Sequence, residues 1–175
     1  MKVVGFVAAK ANSKRFPGKN LHLVNNEPLF MHSVKPLLSS RLVENVYVLT
    51  DSKIIADYCR TQNIDVIWRY KNAARNEDKL ISVLRYGYYN LDEEYDTVVS
   101  LMANCPGYTA SEVDKGIELL TQNNLKEVRG YDPFGIENGL LVLDKSVLQS
   151  NQDISYYVGA VYSKAKEIHY IEDIV

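Results

Sequence analysis

Short apolar runs alternate with longer amphipathic stretches from Val3 to Leu120. The first run, Val3-Val4-Gly5-Phe6-Val7-Ala8-Ala9, is too short for a helix of ordinary length and suits a buried strand. His22-Leu23-Val24 predicts a short extended piece, and Asn25-Asn26 a turn. Pro28 suits the first position of a helix. Leu29, Phe30, Ser33, Val34, Leu37 and Leu38 continue that helix at roughly 3.6-residue spacing, with Pro36 predicted to kink or interrupt it. Val46 to Thr50 reads as a second strand, followed by a helix face made by Ile54, Ile55, Tyr58 and Cys59. Asp51 stands where it could cap that helix. Ile64 to Trp68 is a third strand, and Arg69 to Asp78 is polar and irregular. Glu77 to Asn90 predicts a helix with Leu80, Val83, Leu84 and Tyr88 on one side. Asp96 to Met102 holds the fourth strand. Thr109-Ala110-Ser111-Glu112 is a capping box opening a helix that buries Val113, Ile117 and Leu120.

Strand, loop and helix thus recur four times, which predicts an α/β fold: a mostly parallel sheet with helices on both faces. Beyond Asn124 the rhythm weakens. Lys126-Glu127-Val128-Arg129 and Leu140-Leu141-Val142-Leu143 read as strands around the loop Tyr131 to Gly135, and Asp144 to Leu148 as a short helix. Ser155 to Tyr162 alternates around Val158 and Val161, and Glu167 to Tyr170 reads as a last short strand.

Composition adds mostly exclusions. With 175 residues, 46% of them hydrophobic and 24% charged, the chain is expected to form one domain, 1–175, with a sizeable core. A net charge of −2 provides no global field for nucleic acid or a membrane, so neither is an expected partner. No apolar run reaches the roughly 18 residues of a membrane span. The N-terminus runs straight into a strand without the regions of a signal peptide, so the cytoplasm is the expected compartment. Cys59 and Cys105 fit no metal spacing and imply no disulfide framework.

The chemistry is concentrated after the first strand. Lys10, Lys14, Arg15 and Lys19 fall within ten residues of one another, with Ser13, Pro17, Gly18 and Asn20 among them. In an open α/β sheet, ligands bind outside the carboxyl ends of the strands. Cations there neutralise a polyphosphate while backbone N–H groups point inward. A merely solvated basic loop would not require this clustering at a strand end. The spacing is not that of a Walker A loop, and no G-x-G-x-x-G follows any strand.

Ser13-Lys14-Arg15-Phe16-Pro17-Gly18-Lys19-Asn20-Leu21, after a strand and followed by Glu27-Pro28-Leu29, resembles the N-terminal signature of the cytidylyltransferases that make CMP-activated acidic sugars, the acylneuraminate and Kdo enzymes. Thr50-Asp51-Ser52 matches a strand-end motif of those enzymes. Thr97 to Leu101 resembles their central strand, with Asn104-Cys105-Pro106 at its end. Glu137-Asn138-Gly139-Leu140 and Glu167 to Asp173 resemble later motifs. The resemblance is strong to about Leu120 and thin beyond.

It implies a single-domain, Rossmann-like fold of the nucleotide-diphospho-sugar transferase type. It also implies transfer of CMP from CTP to an acidic 2-keto sugar, such as a sialic acid-like nonulosonate, with release of pyrophosphate. Lys14, Arg15 and Lys19 would be the catalytic cations on the triphosphate, Lys19 nearest the α-phosphate. Ala8, Ala9, Lys10, Ser13 and Asn20 would frame the nucleotide, with Asp51, Arg69 and Asn104 contributing ribose, phosphate or sugar contacts. Arg75 lies in the same loop as Arg69 and reads equally well as a solvated arginine. The implied cofactor is Mg²⁺, with metal positions on Glu167 and on His169, a poor ligand for a hard cation. The implied partners are CTP and the sugar, with room for a homo-oligomer. Three departures stand out: Lys10 replaces an Arg, Asn104 replaces an Asp or Thr, and the segment between Leu120 and Asn138 is far shorter than in the sugar synthetases. Asn104, His169 in place of an Asp, and the shortened segment open a second reading, a degenerate paralogue that holds nucleotide or sugar as a partner or regulator without turnover.

Overall fold

The computed structural model describes residues 1–11, 13, 15–69, 79–150 and 158–174. Lys14 and Arg75 lie outside the described residues.

Val3–Ala8 (β1) is the buried strand that the apolar run predicts, flanked by Asn45–Thr50 (β4) and Thr97–Met102 (β6), both parallel to it. Leu23–Val24 (β2) and Glu27–Pro28 (β3) form a small separate hairpin. Its turn uses Asn25 and Asn26 at φ 50 and 65, a left-handed conformation that asparagine tolerates. Asp65–Trp68 (β5), Glu127–Tyr131 (β7), Glu137–Asp144 (β8) and Val158–Tyr162 (β9) complete a seven-stranded sheet of order β5-β4-β1-β6-β8-β7-β9. Among these strands only β8 runs against the rest. The sheet is mostly parallel, as the repeated strand–loop–helix pattern implies.

Alternation along β1 sorts the core into two layers. Val3 and Val7 face one side, with Phe30, then Met31, Val34 and Leu37 of Met31–Leu38 (α1), Ile55 and Cys59 of Lys53–Thr61 (α2), and Val113 and Ile117 of Ala110–Gln122 (α4). Val4 and Phe6 face the other, with Val83, Leu84 and Tyr88 of Leu80–Tyr89 (α3) and Leu148 of Lys145–Gln149 (α5). Helices therefore cover both faces. Glycine matters where a side chain packs flat on the β7 backbone: a Cβ on Gly130 would lie 1.9 Å from the Tyr108 hydroxyl.

Several local expectations give way. Pro28 pairs with Leu23 in the hairpin and does not start a helix; α1 begins three residues later. Pro36 lies inside α1, which ends two residues on, at Leu38. Ser52, not Asp51, caps α2, accepting a hydrogen bond from the Ile55 N–H at 3.3 Å. Ile54 is exposed, so the buried face of α2 is Ile55, Ala56 and Cys59. The first described turn of α3 starts at Leu80, and its predicted onset at Glu77 falls outside the described residues. Tyr131 ends β7 and does not belong to the loop. The expected strand over Glu167 to Tyr170 is absent: this segment is extended but joins no sheet, and ends in a 3-10 turn over Ile171–Asp173. The capping box on α4 and the short α5, capped by Asp144, are present as read.

Candidate active site

The strand order reverses at β1. Connections through α1 and α2 step outward to β4 and β5, and the next strand, β6, returns to the opposite flank of β1. Such a switch point leaves a crevice at the carboxyl ends of the two strands. A cavity of about 450 Å³ opens there. Its wall is built by Ala8 and Lys10 from the end of β1, Met102, Ala103 and Asn104 from the end of β6, Ser13, Arg15, Lys19 and Asn20 from the loop, Arg69 after β5, Leu80 and Val83 of α3, and Glu167 and His169 from the closing segment.

The loop owes its shape to local bonds. Gly18 takes φ 70, a left-handed conformation that costs a glycine little, and starts a 3-10 turn over Lys19–Leu21. The Asn20 side chain, buried, donates from Nδ2 to the Lys10 carbonyl at 3.0 Å. The Lys19 ammonium, half-buried, donates to the Ile168 carbonyl at 3.0 Å. Burial first, and the neighbouring Arg15 charge second, hold the Lys19 pKa below the ordinary lysine value, while Glu167 pulls it back up. Arg15 lies over the Tyr170 ring, 6.0 Å from its centroid.

The closing segment is fixed to the end of β6. Asn104 Nδ2 donates to the Ile168 carbonyl at 3.0 Å, and the Ile168 N–H donates to the Asn104 carbonyl at 2.7 Å. One backbone oxygen thus accepts from both Asn104 and Lys19. Asp173 accepts the His169 and Tyr170 N–H groups, which hold its carboxyl below the usual carboxylate range. Further back, the buried Asn138 accepts from the Tyr108 hydroxyl and donates to the Ser163 and Ala165 carbonyls at 3.3 and 3.1 Å.

Glu167 and His169 sit side by side, Oε2 to Nε2 at 3.2 Å. Two residues two apart on an extended chain reach the same side, here without a sheet to hold them. Among the described residues no group of three or more His, Cys, Asp or Glu side chains gathers as a metal cage. A divalent cation that keeps most of its shell as water and phosphate oxygens needs only one or two protein donors. Glu167 supplies one oxygen, and His169 a nitrogen that suits a softer cation than Mg²⁺ better.

Ten of the residues singled out in the sequence therefore share one wall: Ala8, Lys10, Ser13, Arg15, Lys19, Asn20, Arg69, Asn104, Glu167 and His169. Two others do not. Ala9 is buried in the core, and its N–H donates to the Leu49 carbonyl at 3.0 Å. Asp51 accepts the Ala11 N–H at 2.7 Å instead of facing the cavity. Leu80, Val83 and Met102 line the wall without having been singled out, because their spacing marks them only as core positions. Cys105, next to this wall in sequence, is buried in the core, and burial, and then the Glu167 charge, push its thiol up to about 12.

The chain was compared with known proteins. The family model described as Cytidylyltransferase matches residues 4–169. CMP-N,N'-diacetyllegionaminic acid synthase of Legionella pneumophila is 30% identical over 123 residues, covering 68% of this chain and 53% of that protein. The 3-deoxy-manno-octulosonate cytidylyltransferase of Acinetobacter baumannii is 27% identical over 114 residues, 65% of this chain and 44% of that one. The chain thus spans about half the length of the curated relatives it matches. Among solved structures, the CMP:2-keto-3-deoxy-manno-octonic acid synthetase complexed with CTP superposes with a TM-score of 0.82 at 14% identity, over 99% of this chain and 95% of that one. A cytidylyltransferase from Leptospira borgpetersenii gives 0.74 at 19% identity, over 99% and 83%. Likenesses at such identities speak to the fold alone. A family match running from the second residue of β1 to the histidine on the cavity wall speaks to lineage, and on it the chain belongs to the cytidylyltransferase family.

Proposed function

We propose that the chain transfers CMP from CTP to an acidic 2-keto sugar, such as a sialic acid-like nonulosonate, releasing pyrophosphate in the cytoplasm. The observation that carries this reading is one cavity at the strand switch point with Lys10, Arg15, Lys19 and Arg69 in its wall. Four cations around one concave space favour a polyanion. The relatives whose names include CMP-sugar or octulosonate chemistry support the substrate class.

The step is an in-line displacement. A sugar hydroxyl oxygen bonds to the α-phosphorus as its proton passes to solvent, the bond from that phosphorus to the oxygen bridging to the β-phosphate breaks, and pyrophosphate carries away the electron pair. Little covalent work falls to the protein, so positioning and charge neutralisation dominate. Ala8 and the Lys10 backbone, with Ser13 and Asn20, frame the base and ribose. Lys14, Arg15 and Lys19 grip the phosphates, Lys19 at the α-phosphate. Arg69 and Asn104 border the acceptor. A divalent cation held by Glu167, with His169 beside it, would neutralise phosphate charge.

A direct test mixes the protein with CTP, Mg²⁺ or Mn²⁺, and a panel of 2-keto acids, following pyrophosphate and CMP-sugar by mass spectrometry. Turnover with CTP but not ATP or GTP is the expected result. Absence of CTP binding at saturating concentration refutes the reading. The sparse donor set at Glu167 and His169 favours one alternative, a module that binds CTP without turning it over. Thermal stabilisation by CTP with no pyrophosphate under any divalent cation would establish that alternative.

A further inference from the structure

Thr50, Asp51 and Ser52 form the corner where β4 turns into α2, and each of their side chains has a different task. Thr50 Oγ1 accepts the Ser52 N–H at 3.0 Å, and Ser52 Oγ caps α2. With the cap supplied by Ser52, the Asp51 carboxylate is left to reach across to β1. It accepts the Ala11 N–H at 2.7 Å, forty residues away in sequence.

The ladder between β1 and β4 explains why that bond matters. The strands pair in parallel up to Ala8 and Leu49, and one more bond follows, from the Ala9 N–H to the Leu49 carbonyl. Alternate N–H groups of a strand point to the same neighbour, so the next one facing β4 belongs to Ala11. By then the β4 backbone has turned away, and the Asp51 side chain supplies the acceptor that the backbone no longer offers. On the other side, Asn20 Nδ2 grips the Lys10 carbonyl at 3.0 Å. Residues 10 and 11, the exit of β1 into the cationic loop, are held from both flanks.

We infer that Asp51 is a positioning residue. It extends the β1–β4 ladder by one side-chain bond to Ala11, and so sets the course of the loop that presents Lys10, Ser13 and Arg15 to CTP, without touching the nucleotide itself. This rests on the proposed binding of CTP. A carboxylate accepting a backbone N–H is a charge-assisted bond and holds geometry better than a neutral one. The charge strengthens a bond that a neutral amide oxygen at the same reach can still make.

The test compares Asp51→Ala, Asp51→Asn and the wild type by calorimetric CTP titration, steady-state kinetics, melting temperature and exchange of the Ala11 amide. Asp51→Ala is expected to raise the CTP dissociation constant and KM about tenfold, to change kcat less than threefold, and to speed Ala11 exchange. Asp51→Asn keeps an oxygen at the same reach and is expected to recover most of the lost affinity. Asp51→Ser, too short to reach Ala11, takes the place of Asp51→Ala if that variant does not fold. Equal losses in Asp51→Asn and Asp51→Ala would overturn the inference, since only a direct charge contact behaves so. Unaltered affinity and exchange in Asp51→Ala would overturn it too. Failure of the wild type to bind CTP would instead refute the proposed function.

Discussion

Lys19→Met separates what the site needs for chemistry from what the fold needs for stability. The ammonium is half-buried, and burial and Arg15 hold its pKa below the ordinary lysine value. For a cation that shift has a definite sign. Between the lowered folded value and 10.5 the unfolded chain binds more protons, so stability rises with pH there, and at neutral pH the charged group is a burden on the folded state. Its bond among the described residues, to the Ile168 carbonyl, is shared with Asn104, so removing Lys19 leaves that acceptor satisfied. Met keeps the length and most of the apolar stem. The melting temperature of Lys19→Met at pH 7 is therefore expected to equal or exceed that of the wild type, with the difference shrinking as the pH rises towards 10.5. Turnover should fall about 10²–10³-fold, the range for losing one preorganised donor, or about 2.7–4 kcal/mol. Pyrophosphate release and differential scanning calorimetry on the same preparations decide it. Turnover within threefold of the wild type would refute Lys19 as the cation on the reacting phosphate. A melting point lowered by more than about 3 °C, or about 1 kcal/mol for a chain of this size, would refute the argument from burial.

Three further outcomes follow from the same geometry. In kcat/KM for CTP, the alkaline limb should begin below the pH expected of an ordinary lysine, because Lys19 loses its proton early; Lys19→Arg should move that limb upward, as read from a pH–rate profile. Asn104→Asp removes the donor to the Ile168 carbonyl and adds a second carboxylate to the wall that holds Glu167, so Mn²⁺ titrated by calorimetry should bind at least fivefold tighter while the melting point falls a few degrees. Gly130→Ala forces a methyl against the Tyr108 hydroxyl and, at 2.7 Å, Asn138 Oδ1; overpacking of this kind costs roughly 1–3 kcal/mol, expected as a drop of several degrees in melting temperature.

The first half of the fold was legible because its signals are local. The run Val3 to Ala8 is long enough for one strand and no helix, and the Thr109–Glu112 box fixes a helix start by bonds spanning three residues. The misreadings occurred where a local rule competed with a tertiary one. Pro28 satisfies the rule for a helix start but pairs at a two-residue strand, where its missing N–H is harmless. Asp51 satisfies the rule for a helix cap, yet Ser52 beside it does so too, and only the proximity of Ala11 decides between them.

The closing segment marks where sequence stops being informative. Glu167 to Tyr170 alternates like a strand, yet no strand of the sheet receives it. Its extended form is kept by contacts with residues far off in the chain: Asn104 at a separation of 64, Lys19 at 149, and the Asn138 amide behind it. None of these partners leaves a mark on local periodicity. The loop was recognisable because charge of one sign had accumulated at a strand end, a pattern that the order of residues displays directly. Its counterpart showed only through the family resemblance, because Glu167 and His169 become a pair facing Lys19 only once the Ile168 carbonyl is held by two side chains. A cationic half built locally and an acidic half delivered from the far end of the chain make the site dependent on the whole sheet. Loosening the Asn138 contacts should therefore weaken divalent binding before it weakens the binding of CTP in metal-free buffer.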